Sequence, residues 1–230
     1  MTKPGDHREP SIFGLILAAG QSIRMGAFKP LLPFGNITVV ENCIQNLRDG
    51  GADEIIVVTG AGERADQLRN KLGASSALIA VNPNAKSEMS DSIACGMHLV
   101  SEAAGAVLIT PVDHPAVPPN VVARLIDEWR QGSRLVKPTW NGRGGHPVLI
   151  DLMFRDALVH LEADGGLSGF FKSHQAEVTR LPVDSNYIAR DMDTWDDYRS
   201  LHEEVFGFGP KKQPINEARA TADRTSDETN

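Results

Sequence analysis

Several things are scarce in this sequence, and each scarcity excludes something. Only two cysteines, Cys43 and Cys95, occur in 230 residues. They are too few for a disulfide framework or for a four-ligand cysteine-based zinc site. Both fall in apolar patterns of helical period and read as buried free thiols. No apolar run approaches the ~20 residues that a membrane-spanning helix needs. The opening MTKPGDHREP holds no apolar signal core, so a cytoplasmic chain without membrane contact is expected. Basic charge is also short: 23 Lys and Arg stand against 30 Asp and Glu, a formal net charge of −7. That balance argues against a general nucleic-acid binder, which needs a basic face. An anionic ligand would have to find locally clustered Arg and Lys. No Ser-His-Asp or Cys-His constellation is evident, and neither common glycine-rich phosphate loop, the P-loop or G-x-G-x-x-G, is present.

What is present is an ordinary globular composition, 41% hydrophobic and 23% charged, with a regular alternation. Short apolar runs (IFGLILA, EIIVVTG, ALIAV, AVLIT) alternate with amphipathic segments. In VVENCIQNLRDGG, Val40, Cys43, Ile44 and Leu47 share one helical face; in PPNVVARLIDEWRQG, Val122, Leu125, Ile126 and Trp129 do. SDSIACGMHLV is also helical, with Ser90 or Asp91 as candidate cap. Continuous apolar strands between such helices imply a mostly parallel sheet covered on both faces, a Rossmann-like three-layer α/β/α arrangement. RLVKPTW, HPVLI, DLMFRDALVHL, AEVTRLPV and TWDDYRSLHEEVF extend the same domain. The expected organisation is a flexible lead at 1–10, one domain over 11–208, and a disordered tail over 209–230 that is polar and lacks apolar periodicity.

In open parallel sheets, ligands sit at the carboxyl ends of the strands. The first strand there runs into LAAGQSIRMGAFKPLLPFG (Leu17 to Gly35). Five residues separate Gly20 from Gly26, where a P-loop has four, and Lys29 precedes Pro30. Proline biases the residue before it toward extended backbone, so no helix is expected to begin at Lys29 and the loop should run to about Asn36. Gly20 and Gly26 permit close backbone approach, while Arg24 and Lys29 offer a guanidinium fork and a point charge. Such a loop suits a triphosphate. After the fourth strand, PVDHPAVPP holds Asp113 among prolines that restrict its backbone. A carboxylate held opposite a triphosphate is what Mg2+ takes; the same residue could equally bond its own backbone in a turn. His114 reads as a wall residue.

LAAGQSIRMGAFKPLLPFG resembles the nucleotidyltransferase signature L-A-A-G-x-S-x-R-M-G-x-x-K-x-L-L-P. With VTG, PVDHPAV, GRGGHPVLI and DMDTWDDY following in order, residues 12 to about 200 resemble the molybdenum cofactor cytidylyltransferase branch of the molybdopterin nucleotidyltransferase family. The resemblance implies an Mg2+-dependent transferase, with Mn2+ as an alternative ion. Its substrates would be CTP and a phosphorylated acceptor of the molybdopterin type, and a molybdoenzyme or its chaperone would be a further partner. It implies nucleotide binding by Leu17, Ala18, Ala19, Gly20, Arg24, Gly26, Lys29, Thr59, Asn82 and Ser92. Catalysis would fall to Arg24, Lys29 and Asp113, metal binding to Asp113 and Asp191, and acceptor binding to Gly144, Gly145 and His146. In ARDMDTWDDYRS, Thr194 reads as a helix cap, and Asp193, Asp196 and Asp197 as residues of that helix start. By the same resemblance Ala19 would mark the cytidylyl branch, the guanylyl enzymes carrying LAGG, and its methyl would narrow the pocket in favour of a pyrimidine. Two departures stand out: Glu88 replaces a usual glycine, and Ser168 replaces an arginine expected on the acceptor side. A sugar phosphate or methylerythritol phosphate acceptor, and a non-catalytic accessory protein, are the alternatives.

Overall fold

The computed structural model describes residues 9–20, 25–73, 75–84, 88–161 and 165–210. Arg24, most of the lead and nearly all of the tail lie outside the described residues. The chain forms a mixed sheet from β1 (Ile12–Ala18), β4 (Glu54–Thr59), β5 (Leu78–Val81), β6 (Ala106–Pro111), β7 (Leu135–Trp140), β9 (Val148–Asp151) and β10 (Val178–Pro182). A two-residue β8 (Arg143–Gly144) pairs with β7, and β2 (Pro33–Phe34) and β3 (Ile37–Thr38) form a separate hairpin. The main order is β10-β7-β9-β6-β1-β4-β5, mostly parallel, with β9 antiparallel to both of its neighbours.

Alternation along the strands explains the layers. On β1, Ile12 and Ile16 pack into one core, and Phe13, Leu15 and Leu17 into the other. Each strand residue points to the face opposite its neighbour, so an all-apolar strand needs a helical layer on both sides. One layer holds α1 (Val39–Asp49), α2 (Glu63–Leu72), α4 (Pro119–Arg130) and α7 (Trp195–Phe206). The other holds α3 (Met89–Met97), α5 (Arg155–Val159) and α6 (Gly166–Ser173). Gly96 lets α3 lie directly on the sheet, because a Cβ there would collide with Leu15 and Val58.

Some sequence expectations change. A single 3-10 turn begins at Lys29 and includes Pro30; proline fits a first turn, where its missing N–H is not needed. The segment to Asn36 is therefore a turn and a hairpin, with Gly35 at φ +64. The cap of α3 is Glu88, and Asp91 instead accepts the Glu88 N–H at 3.3 Å from the third helical position. Residues 152–154 form a 3-10 turn ahead of the short α5. α6 buries Leu167, Phe170 and Phe171 and leaves Ser168 exposed. Cys43 is a buried thiol, but Cys95 is only half-buried. Thr194 caps α7, with Asp197 completing the capping box.

Candidate active site at the carboxyl rim

The carboxyl ends of β1, β4, β5 and β6 lie on one rim, and most of the predicted residues follow those ends. The antiparallel β9 adds to it. Val148 pairs with Ile109, near the end of β6, so Gly144, Gly145 and His146 arrive beside the Asp113 loop. The turn that allows this is Asn141–Gly142, both at positive φ; Asn-Gly between strands is a strong hairpin signal. Gly145 has a packing reason to be glycine, since a Cβ would run into the Ile188 carbonyl.

Lys29 is the centre of the charged group. It is 8% exposed, and its Nζ donates to Asp193 Oδ1 at 2.9 Å and to Asp113 Oδ2 at 3.4 Å. The Asp113 loop is fixed by α1 as well as by its prolines. Asn42 and Asn46 both donate to the Pro115 carbonyl, at 2.7 and 2.8 Å, and the Cys43 thiol donates to Val112 O at 3.5 Å. Burial pushes the Cys43 thiol far above its ordinary value, so it stays protonated and acts as a donor.

Beside Asp113, the His114 and His146 rings lie 5.2 Å apart. Burial lowers both pKa values, and His146 falls to about 4, helped by the charge of His114. Against burial, Asp113 and then Asp191 raise that of His114. Both imidazoles are neutral at pH 7, and their buried Nδ1 atoms have no partner among the described residues. Asp191 itself is exposed.

At Phe28, the residue before Lys29, a cavity of about 120 Å3 is bounded by Ala18, Ala19, Gly20, Phe28, Thr59 and Arg64, among others. Among the described residues nothing lies within 4 Å of a Cβ built on Gly20 or Gly26, and Gly26 sits at φ +62. Leu17 and Thr59 are buried at this edge. Asn82 and Ser92 come together, the Asn82 amide donating to Ser92 Oγ at 3.1 Å, and both are buried. The Asn82 N–H also donates to the Thr59 carbonyl at 2.8 Å, which ties the pair to the end of β4.

Sequence reasoning missed two groups. Asp193, read as part of a helix start, is on Lys29; the D-x-D spacing before the capping box was the available signal. Phe28 and Arg64 wall the cavity, with the guanidinium 6.0 Å from the Phe28 ring centre. No local pattern marks a lone arginine in the first turn of α2.

A parallel-sheet rim with a buried lysine between carboxylates, next to a small-residue cavity, defines a nucleotide-handling α/β protein. The MobA-like NTP transferase domain matches residues 14–178, and the chain belongs to that family of nucleotidyltransferases. It is 30% identical over 199 residues to nicotine blue oxidoreductase of Paenarthrobacter nicotinovorans, covering 83% of this chain and 96% of that one. It is 29% identical over 129 residues to 2-C-methyl-D-erythritol 4-phosphate cytidylyltransferase of Rhodococcus jostii, 55% of each chain. Among solved structures, Rv0371c of Mycobacterium tuberculosis H37Rv superposes with a TM-score of 0.74 at 28% identity, covering 84% of this chain and 98% of that one. A manganese complex of Rv0371c gives a TM-score of 0.69 at 26% identity, with the same coverage.

Proposed function

We propose that the protein transfers CMP from CTP to the phosphate of a molybdopterin-type cofactor and releases pyrophosphate. The observation that carries this reading is the buried Lys29 between Asp113 and Asp193, beside the cavity bounded by Ala18, Ala19 and Gly20. An acceptor phosphate oxygen attacks the α-phosphorus; a new P–O bond forms as the bond to the bridging oxygen of the leaving pyrophosphate breaks. A phosphate monoester has its second pKa near ~6 and is already anionic at neutral pH, so no general base is required. What the chain supplies is position and charge. Lys29 turns from its carboxylates to the phosphates, and Arg24 adds a second cation. Leu17 to Gly20 and Gly26 let the nucleotide approach the backbone; Thr59, Asn82 and Ser92 support its base and ribose side.

The donor set at the rim is carboxylate oxygen, which suits a hard ion such as Mg2+ or Mn2+. Asp113 would hold it, with Asp191 as second ligand. When bound, the ion neutralises phosphate charge as a Lewis acid. Gly144, Gly145 and His146 face the acceptor, and neutral His146 can hydrogen-bond a pterin without adding charge. A cytoplasmic location, and delivery of the product to a molybdoenzyme or its chaperone, accompany this reading.

Pyrophosphate release from CTP is measured with and without molybdopterin. Release that requires molybdopterin supports the reading. Release with a sugar phosphate or methylerythritol phosphate instead would move the acceptor, and the exposed Ser168 marks where the acceptor side departs from the family. No release with any acceptor would leave a nucleotide-binding accessory role or the redox chemistry for which the Paenarthrobacter relative is named.

A further inference from the structure

The second half of the phosphate loop, residues 25–35, is tied to α7. The Trp195 indole N–H donates to the Met25 carbonyl at 2.9 Å. The Tyr198 hydroxyl donates to the Pro33 carbonyl at 2.5 Å. The Gly35 N–H donates to His202 Nε2 at 3.1 Å. Positions 195, 198 and 202 share one face of α7, at the i, i+3, i+7 spacing of a helix. Immediately before that helix, Asp193 is the closer of the two carboxylates on Lys29. α7 therefore meets the loop's backbone at three points, and the residue just ahead of its cap meets the loop's lysine at a fourth.

The chemistry of these ties is specific. Because His202 Nε2 accepts from Gly35, its Nδ1 must carry the proton, and Nδ1 lies 2.8 Å from the Phe208 carbonyl. Phe34 packs edge-on to His202 and Phe206, and a Cβ at Gly35 would press on the Phe206 ring. Tyr198 and His202 are buried, where an aromatic side chain alone would give apolar packing; the Tyr198 hydroxyl and His202 Nε2 are spent on the loop's main chain.

We propose that α7 is a splint for the phosphate loop, with Trp195, Tyr198 and His202 as positioning residues that hold Lys29 at the rim. None of the three touches the reacting atoms. They act through the backbone of residues 25–35, so the end of the domain farthest in sequence from the loop sets the loop's geometry. The role in turnover rests on the nucleotidyl-transfer reading; the tie itself does not.

The test uses the full chain with Trp195→Phe and Tyr198→Phe, each of which keeps a ring and removes one donor. Arg199→Ala, on the exposed side of the same helix, is the control. Amide hydrogen exchange of residues 28–38 is followed without nucleotide, alongside thermal unfolding and pyrophosphate release. The expected result is about fivefold or faster exchange in 28–38, the scale of one net hydrogen bond. The rest of the sheet keeps its exchange and the unfolding midpoint shifts by only a few degrees. Turnover at saturating CTP falls about fivefold, while KM for CTP moves less, because the cavity at Ala18, Ala19 and Thr59 is untouched. The control is unchanged. Exchange in 28–38 that stays at the wild-type level, or rises only in step with the whole chain, overturns the splint. Looser exchange with undiminished turnover overturns the positioning role. If the wild type releases no pyrophosphate, the transfer reading fails, and the exchange comparison alone decides whether α7 holds the loop.

Discussion

Replacing Lys29 with Met keeps a buried apolar stem of similar length and removes the charge together with its two hydrogen bonds. Asp113 and Asp193 are then left facing one another, their oxygens no more than about 6.3 Å apart, the reach of the two lysine contacts taken together. Two unit charges at that distance repel by about 0.7 kcal/mol at the dielectric of water and about 2.6 kcal/mol at an effective value near 20. The Asp193 side chain is 40% exposed and that of Asp113 24%, so solvent screening favours the lower half of that range. A destabilisation of about 1 kcal/mol corresponds to roughly 2–4 °C in a domain of this size, and added salt should recover much of it. Catalysis should respond on another scale. A preorganised cation on developing phosphate charge is worth on the order of 2.7–4 kcal/mol, so turnover should fall by about a hundredfold or more. The assay is pyrophosphate release at two salt concentrations, paired with thermal melts at the same two. A small, salt-recoverable loss of stability with a large loss of turnover that salt does not restore is the expected outcome. Near-normal turnover, or inactivity that merely tracks unfolding, would refute the role given to Lys29.

Three further outcomes follow from the site. Asp113→Asn should weaken Mn2+ binding, followed by Mn2+ spectroscopy on the protein without nucleotide, and lower turnover by about a hundredfold or more; unchanged affinity would remove Asp113 as a ligand. Ala19→Gly should narrow the preference for CTP over GTP by widening the pocket mouth, and competition binding that leaves the ratio unmoved, or tighter GTP binding by the wild type, would sink the methyl argument. His146, buried and held near a pKa of about 4, takes up its proton more readily when unfolded. Its neutral form therefore contributes stability that is present at neutral pH and lost as pH falls from about 6.5 toward 4, up to about 3 kcal/mol in all. His146→Gln should flatten that limb of the melting profile, and an identical acid limb in the variant would count against it.

The strands that build the rim were readable because their residues are apolar without interruption. IFGLILA coincides with β1, and EIIVVTG with β4 except for its final glycine; no half-exposed strand would show that pattern. The faces of α1 and α4 followed from their period. Lys29 and Asp113 were legible because their loops combine charge with glycine or proline at strand ends. Asp193 was not, because a local capping reading accounts for an aspartate before Thr194, while its contact with Lys29 spans 164 positions. The reversal of β9 was also hidden. HPVLI has the composition of any buried strand, and only the Asn141–Gly142 turn ahead of it signals the change of direction. His114 and His146 gave no sign of meeting, since that depends on the reversal.

The central claim is CMP transfer to a molybdopterin phosphate at the Lys29 rim. Its most direct test is a single turnover with α-32P-labelled CTP, molybdopterin and Mg2+, with the labelled product separated from free nucleotide. The account predicts label in a cytidylylated pterin and an equal amount of pyrophosphate, both lost in Lys29→Met. Label that remains in CTP with molybdopterin, or transfer undiminished by that substitution, would contradict it.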